Sequence, residues 1–210
     1  WDEDYHYGRG AYVTDAGRLT LKAMTVYHNR EAGVLAEGID TEASLIDGTV
    51  LDDMQRGAEM NFAVGAIAQA GAQLTIDNAA ITNTKGAGVF LIGGASAILD
   101  TATIKGNAAA GVAVFDASLS MTRSRLSDTV GDVNVGLGFG LYVDHSKYGP
   151  ATVEVTGSSF SGNLYGGIYV HGDNGSVSLI GNSISHHAAA QITDHLSMLG
   201  YGLLAENVCT

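Results

Sequence analysis

The stretch from Gly88 to Gly111 reads GVFLIGGASAILDTATIKGNAAAG and contains the pattern that decides the fold. Apolar residues alternate with other residues in two steps, from Val89 to Leu91 and from Ala97 to Leu99. Alternation with a period of two is typical of a β-strand that buries one face. The next apolar position, Ile104, follows five residues later. This spacing indicates a short bend that leads into a third strand.

The same pattern recurs along the whole chain, with apolar residues at i, i+2 and i+7. Its seven copies begin at Leu19, Ser44, Leu74, Ala97, Leu119, Val153 and Val177. A second pattern, glycine–apolar–any–apolar, precedes each copy. It begins at Gly10, Gly33, Gly65, Gly88, Gly111, Gly140, Gly167 and Gly202. These glycines indicate either a positive φ or a close approach of backbone. Together the two patterns predict about eight coils of three short strands each.

A helical repeat would place apolar residues at i+3 and i+4, whereas this chain places them at i+2. A β-propeller needs about 40 residues in each repeat, but Gly88 and Gly111 are only 23 residues apart. The sequence therefore predicts an all-β, parallel β-helix solenoid that forms a single domain over residues 1–210.

Residues 160–168, FSGNLYGGI, resemble the turn of the right-handed, pectin-lyase-like β-helix superfamily. Asn107 and Asn29 stand at the matching place in two other coils. The resemblance implies a right-handed solenoid, but it does not imply one activity, because this fold carries lyases, hydrolases, epimerases and adhesins. It also leads us to expect an extracellular or cell-surface location.

Three connections are longer than the others, and all three fall at the same corner of the predicted coil. They run from Leu51 to Gly65, from Leu126 to Gly140 and from Ile184 to Gly202. Insertions in solenoids map to one face, which is often the binding face. Because neither end of the sequence resembles a cap, we expect the chain to be a fragment of a longer solenoid.

The composition excludes several classes of partner. The chain has 10 basic and 22 acidic residues, for a net charge of −12. Nucleic acid is therefore not an expected partner, because phosphate binding needs clustered Lys and Arg. There is no apolar run of the length that spans a membrane. With one cysteine, Cys209, no internal disulfide can form.

Candidate catalytic residues follow from stacking, which brings equivalent positions of successive coils about 4.8 Å apart. Asp144, His171 and Glu206 are consecutive members of one column, and His145 follows Asp144. An aspartate beside a histidine suits general acid–base chemistry. If the protein is an enzyme, we expect Asp144, His145 and His171 to be its catalytic residues.

No cofactor is predicted. His186, His187, Asp194 and His195 lie within ten residues but match no metal-binding spacing. Calcium is the cation that an acidic chain would favour, although no calcium motif is present.

A candidate binding surface follows from the residue between the two apolar positions of each glycine pattern. This column, called here the outward column, reads Tyr12, Leu35, Ile67, Phe90, Ala113, Tyr142, Tyr169 and Leu204. These side chains should point away from the core and form an apolar stripe, which is typical of an interface or a groove. We expect Tyr12, Phe90, Tyr142 and Tyr169 to be binding residues, unless the long loops cover them.

The first functional hypothesis is a non-enzymatic extracellular solenoid with a structural, adhesive or self-associating role. The alternatives are a polysaccharide-active enzyme (a lyase, epimerase or hydrolase) and a passive glycan-binding module.

Overall fold

The computed structural model describes residues 8–56, 63–131, 137–145, 149–173, 175–185, 187 and 201–206. Within these residues every regular element is a β-strand. The strands form three parallel sheets, and each turn of the chain adds one strand to each sheet. This architecture is the predicted solenoid, and its first sheet contains eight strands.

Sheet 1 follows the glycine pattern. Its strands are β1 (Arg9–Val13), β4 (Ala32–Glu37), β7 (Val64–Gln69), β10 (Ala87–Ile92), β13 (Ala110–Phe115), β16 (Phe139–Asp144), β19 (Gly166–His171) and β22 (Tyr201–Glu206). Sheet 2 follows the i, i+2 step. Its strands are β2 (Arg18–Lys22), β5 (Glu42–Ile46), β8 (Gln73–Asp77), β11 (Ser96–Asp100), β14 (Ser118–Thr122), β17 (Thr152–Thr156) and β20 (Ser176–Ile180).

Sheet 3 is the narrowest sheet and carries the i+7 position of the pattern. Its strands are β3 (Thr25–Tyr27), β6 (Val50–Asp52), β9 (Ala80–Thr82), β12 (Thr103–Lys105), β15 (Arg125–Ser127), β18 (Ser159–Ser161) and β21 (Ser183–Ser185). The three long connections join sheet 3 to sheet 1, so they lie at one corner as predicted. Parts of each connection are outside the described residues.

The bend between sheets 2 and 3 is made by one residue with positive φ in six coils. These residues are Ala23, Asn78, Thr101, Arg123, Gly157 and Gly181. A single left-handed residue bends the chain from sheet 2 into sheet 3, which explains the constant five-residue step of the sequence pattern.

The second coil departs from the predicted register. Its buried positions are Ala43 and Leu45, not Ser44 and Ile46. This coil has two left-handed residues at the bend, Asp47 with φ 52° and Gly48 with φ 84°. The extra residue lets the strand start one position earlier while Leu51 keeps its place in sheet 3.

The glycines of the pattern are required by close packing. None of the described members has a positive φ. A Cβ on Gly88 would lie 2.7 Å from the carbonyl oxygen of Gly111 and 2.6 Å from Cγ2 of Ile104. Each of the first seven glycines thus allows the backbone of the next coil to pass where a side chain would stand, whereas a Cβ on Gly202 would make only an ordinary contact, 3.5 Å from Cγ2 of Ile184. The sequence allowed either a positive φ or a close approach of backbone at these glycines, and the structure confirms the close approach.

The interior is one continuous column of aliphatic side chains contributed by all three sheets. Two buried asparagines, Asn107 and Asn163, lie at the corner between sheets 3 and 1. The Oδ1 of Asn107 accepts hydrogen bonds from the backbone N–H and the hydroxyl of Thr84, at 3.1 and 2.8 Å. The Oδ1 of Asn163 accepts one from the backbone N–H of Thr129 at 3.1 Å. At this corner the residues of successive coils therefore alternate between threonine and asparagine, from Thr84 through Asn107 and Thr129 to Asn163.

Candidate functional site

The outer face of sheet 1 carries the outward column in register across all eight strands. Tyr12 pairs with Leu35, and the register continues coil by coil to Tyr142, Tyr169 and Leu204. The predicted alignment is confirmed, because each strand begins at the same distance from its glycine.

The column is not a continuous exposed stripe. Leu35 is 2% exposed, Ile67 is 8% exposed and Ala113 is 2% exposed. Leu35 and Ile67 belong to an apolar cluster separate from the main core. Tyr12, at the N-terminal end of this face, is the member of the column with a largely exposed side chain among the described residues, at 47%. The long exposed stripe from which self-association was expected is therefore absent from the described residues.

The aromatic members of this face form a chain of ring contacts, tilted at Phe115 and stacked between Tyr142 and Tyr169. The ring centroids are 5.3 Å apart for Phe90 and Phe115, 5.6 Å for Phe115 and Tyr142, and 5.1 Å for Tyr142 and Tyr169. Phe139 stacks on Tyr169 at 5.0 Å. We call these five rings the aromatic ladder. Its spacing follows from the roughly 4.8 Å distance between successive coils.

Stacking changes what the tyrosines can offer to a ligand. The ring planes of Tyr142 and Tyr169 differ by only 19°, so one face of each ring is covered by the other. Both side chains are half-buried. They present ring edges and hydroxyl groups, which favours hydrogen bonding over stacking of a sugar on a ring face.

A polar centre adjoins the ladder on coils six and seven. Oδ1 of Asp144 lies 3.6 Å from Nδ1 of His171. The two residues are register partners at the ends of β16 and β19. The Tyr142 hydroxyl donates to Oδ2 of Asp144 at 3.4 Å, and the imidazole of His171 stacks on Tyr169 at 6.2 Å. The Asp144 side chain is 13% exposed and that of His171 is 30% exposed.

This geometry has a definite chemical capacity. A carboxylate that faces one nitrogen of an imidazole orients the ring and stabilises its protonated form. The distance of 3.6 Å is an electrostatic contact rather than a hydrogen bond. Asp144 and His171 can thus hydrogen-bond the hydroxyl groups of a ligand.

His145 does not join this centre. Its side chain is 2% exposed, and Nδ1 has no hydrogen-bond partner among the described residues. Only its backbone N–H points to the pair, donating to the carbonyl of His171 at 2.8 Å. Burial lowers the pKa of His145, and the neighbouring His171 lowers it further, against the opposing influence of Asp144.

Gly175 explains how His145 fits. A Cβ at this position would overlap with the His145 ring and with the carbonyl oxygen of Ala151. Alanines stand at the equivalent corner in four preceding coils, Ala72, Ala95, Ala117 and Ala151. The change from alanine to glycine is the sequence signal that could have identified His145 as a packed residue.

Tyr12 belongs to a different network on coils one and two. Arg9 makes two contacts with the Glu31 carboxylate, at 3.0 and 3.2 Å. The Arg9 guanidinium lies 4.9 Å from the centroid of the Tyr12 ring, whose hydroxyl donates to Glu37 at 2.8 Å. The carboxylate of Glu31 raises the pKa of Arg9. These contacts tie the first two coils together.

Several residues named in the sequence analysis lie outside the described set. They are His186, Asp194, His195 and Cys209. The backbone of Glu206 is described and pairs with His171, which places Glu206 in register with the polar centre. The described residues include no group of three or more His, Cys, Asp or Glu that could hold a metal ion. They also include no helix long and apolar enough to cross a membrane.

Comparison with known proteins supports the fold. The chain resembles the structure of the periplasmic alginate epimerase AlgG with a TM-score of 0.58 and 15% identity; the match covers 96% of this chain and 48% of that one. The chain therefore spans about half the length of this epimerase. A pectate lyase, Pel9A, matches with a TM-score of 0.29 and 10% identity, over 91% of this chain and 68% of that one.

No curated protein matches the chain. The family model described as "Right handed beta helix region" matches residues 9–184, which is more than half of the 210 residues. The handedness expected from the FSGNLYGGI turn is thereby confirmed. The coil pattern, the three parallel sheets and this match together show that the chain belongs to the right-handed β-helix region family.

Proposed function

We propose that the protein binds a neutral polysaccharide on the outer face of sheet 1, centred on coils six and seven. The observation that carries the proposal is the Asp144–His171 pair beside the Tyr142 hydroxyl. Sugars are bound through their hydroxyl groups, and this centre combines a carboxylate acceptor, an imidazole and a phenol on one accessible surface. The site lies on a flat array of parallel strands, along which an extended polymer can run.

The charge of the chain favours a neutral ligand over a uronate. The net charge is −12, and the centre itself contains the carboxylate of Asp144. A polyanion would meet repulsion both from the whole molecule and at the site. The proposed ligand therefore differs from alginate, the acidic polymer named for the epimerase that shares the fold.

The alginate epimerase resemblance supports a polysaccharide ligand and an extracytoplasmic location, because that protein is described as periplasmic. At 15% identity the resemblance does not distinguish one polysaccharide from another. The choice of ligand class therefore depends on the residues of the polar centre.

The test is a binding panel measured by affinity electrophoresis and calorimetry. Neutral polymers such as glucomannan, xylan and β-glucan are compared with alginate and polygalacturonate. Asp144→Asn keeps the shape of the side chain and removes its charge. Since a hydrogen bond to a charged group contributes about 1.5–3 kcal/mol, we expect the affinity for the neutral ligand to fall by roughly 10- to 100-fold.

Asp77→Asn is the matched control, because Asp77 is exposed on the outer face of sheet 2. It removes the same charge away from the centre and should leave affinity unchanged. Tyr142→Phe and Tyr169→Phe keep the ring stacking and remove only the hydroxyls. The proposal is refuted if no neutral polymer binds, or if Asp144→Asn behaves like Asp77→Asn.

Acid–base catalysis is a second candidate function, because the side chains of Asp144 and His171 face each other across adjacent strands. The same panel is then followed by NMR for chain cleavage or epimerisation. We expect turnover to be lost in His171→Ala while binding is reduced only in part. Binding without turnover on every polymer would leave the chain as a binding module.

A further inference from the structure

A half-enclosed cavity lies on the outer face of sheet 1, one coil before the polar centre. Its volume is about 100 Å³, and its lining surface is entirely apolar. It is lined by Phe90 and Phe115 and by alanines in or next to β10 and β13, including Ala110 and Ala113. Leu137, from the long connection before β16, also lines it.

The cavity exists because one member of the outward column is small. Ala113 stands between Phe90 and Tyr142 in register, where a third ring would continue the stack. Phe115 comes from the neighbouring column and bridges the two rings, at 5.3 and 5.6 Å. The space in front of Ala113, toward Leu137, is left unfilled.

The cavity lies next to the proposed polysaccharide site. Phe115 is the register partner of Asp144, so the cavity wall and the carboxylate are on successive strands, roughly 4.8 Å apart along the solenoid axis. A polymer lying along this face and touching Asp144 would pass over the opening.

The size and the lining restrict the occupant. The volume of about 100 Å³ lies between the roughly 30 Å³ share of one water molecule in the liquid and the roughly 150 Å³ of a cavity that binds benzene. A group of a few heavy atoms therefore fits, and a long acyl chain does not. A sugar hydroxyl would lose its hydrogen bonds against an apolar lining.

We infer that this cavity is a subsite for an O-acetyl substituent of the neutral polysaccharide bound at the polar centre. The inference rests on the proposed function. The acetyl methyl group replaces the missing ring of the outward column and contacts Phe90 and Phe115, while the ester oxygens remain at the opening.

The experiment compares one polymer in two forms, acetylated glucomannan and the same glucomannan after alkaline deacetylation. Burial of one methyl group corresponds to about a fourfold gain in affinity, so the wild-type protein should bind the acetylated form at least about fourfold more tightly. Ala113→Leu fills the cavity and should abolish this preference while retaining the affinity for the deacetylated form. Ala113→Val is the smaller replacement if leucine prevents folding.

Two further measurements separate the inference from the proposed function. Asp144→Asn should weaken binding of both forms equally and retain the preference. Xenon NMR should detect a bound-xenon shift in the wild type and its loss in the folded Ala113 variant. Equal affinities of the wild type for both forms, with binding intact, overturn the subsite alone. A preference that persists in the filled variant also overturns it, and binding of neither form overturns both proposals.

Discussion

Replacement of the stacked glycines by alanine should destabilise the protein in an order that the structure specifies. A Cβ on Gly65 would overlap with Cγ2 of Ile81 and lie 2.5 Å from the carbonyl oxygen of Gly88. On Gly88 the nearest atoms would be 2.6, 2.7 and 2.8 Å away, and on Gly140 they would be 2.8, 2.8 and 3.0 Å away. We expect Gly65→Ala to be the most costly change and Gly140→Ala the least.

The magnitude follows from what must move. Real Cβ atoms essentially never approach a heavy atom within 3.0 Å, so atoms of the neighbouring coil must shift to accommodate the added methyl group. Overpacking of a core costs about 1–3 kcal/mol. Gly140→Ala should fall near the lower limit. Gly65→Ala should reach or exceed the upper limit, because its Cβ would come within 2.5 Å of a backbone carbonyl oxygen, closer than the 2.7 Å at Gly88 and the 2.8 Å at Gly140.

Urea unfolding followed by circular dichroism measures the free energy of unfolding of each variant. Gly94→Ala is the control, because no atom lies within 4 Å of its Cβ and only its φ of +76° opposes the change. The control should cost about 1 kcal/mol, the penalty of a left-handed residue with a side chain. The reasoning is refuted if Gly65→Ala costs no more than Gly94→Ala, or if the order of the three variants is reversed.

Three other outcomes are expected. Asn163→Ala should lower the free energy of unfolding by about 1–3 kcal/mol, because it leaves the buried N–H of Thr129 without its acceptor; hydrogen exchange at that amide should quicken, and unchanged exchange would contradict this. His145 has a lowered pKa in the folded protein. Below about pH 6.5 the unfolded chain therefore binds a proton that the folded chain does not. The free energy of unfolding should thus decrease as the pH is lowered below this value. The difference in melting temperature between pH 7.5 and 5.5 should shrink in His145→Phe, and an equal difference in both proteins would count against the buried neutral imidazole. The hydroxyl of Thr122 donates to Asp100 at 2.6 Å and is the largest cause of the lowered pKa of that carboxyl; Thr122→Val should raise this pKa in an NMR titration, whereas an unmoved titration curve would show that another group is responsible.

Much of the fold was predictable because each coil repeats one local pattern. Strand alternation identifies the inward residues, and the five-residue step identifies the bend. The prediction was wrong in the second coil, where Ser44 was assigned inward instead of Ala43. The bend of that coil contains one extra residue, because both Asp47 and Gly48 are left-handed. The side chain of Ala43 is too small to give a hydrophobic signal that would reveal the shift.

The candidate site was predictable as a column but not as a set of contacts. The column placed Asp144 and His171 on adjacent coils, where the structure has them facing each other. His145 is adjacent to Asp144 in sequence, yet it turns into the corner because Gly175 leaves room for its ring. Phe115 lies in a different column from the tyrosines and joins them only because Ala113 leaves a gap.

The sequence by itself therefore determined the parallel three-sheet solenoid, its handedness by resemblance, the register of the outward column and the corner that carries the long connections. These properties depend on short-range periodicity, which one chain repeats many times. The tertiary structure alone decided that Leu35 and Ile67 are buried, that the tyrosines stack through their faces, and that a cavity opens before the polar centre. Those properties arise between coils, where side chains separated by at least one full turn compete for the same space.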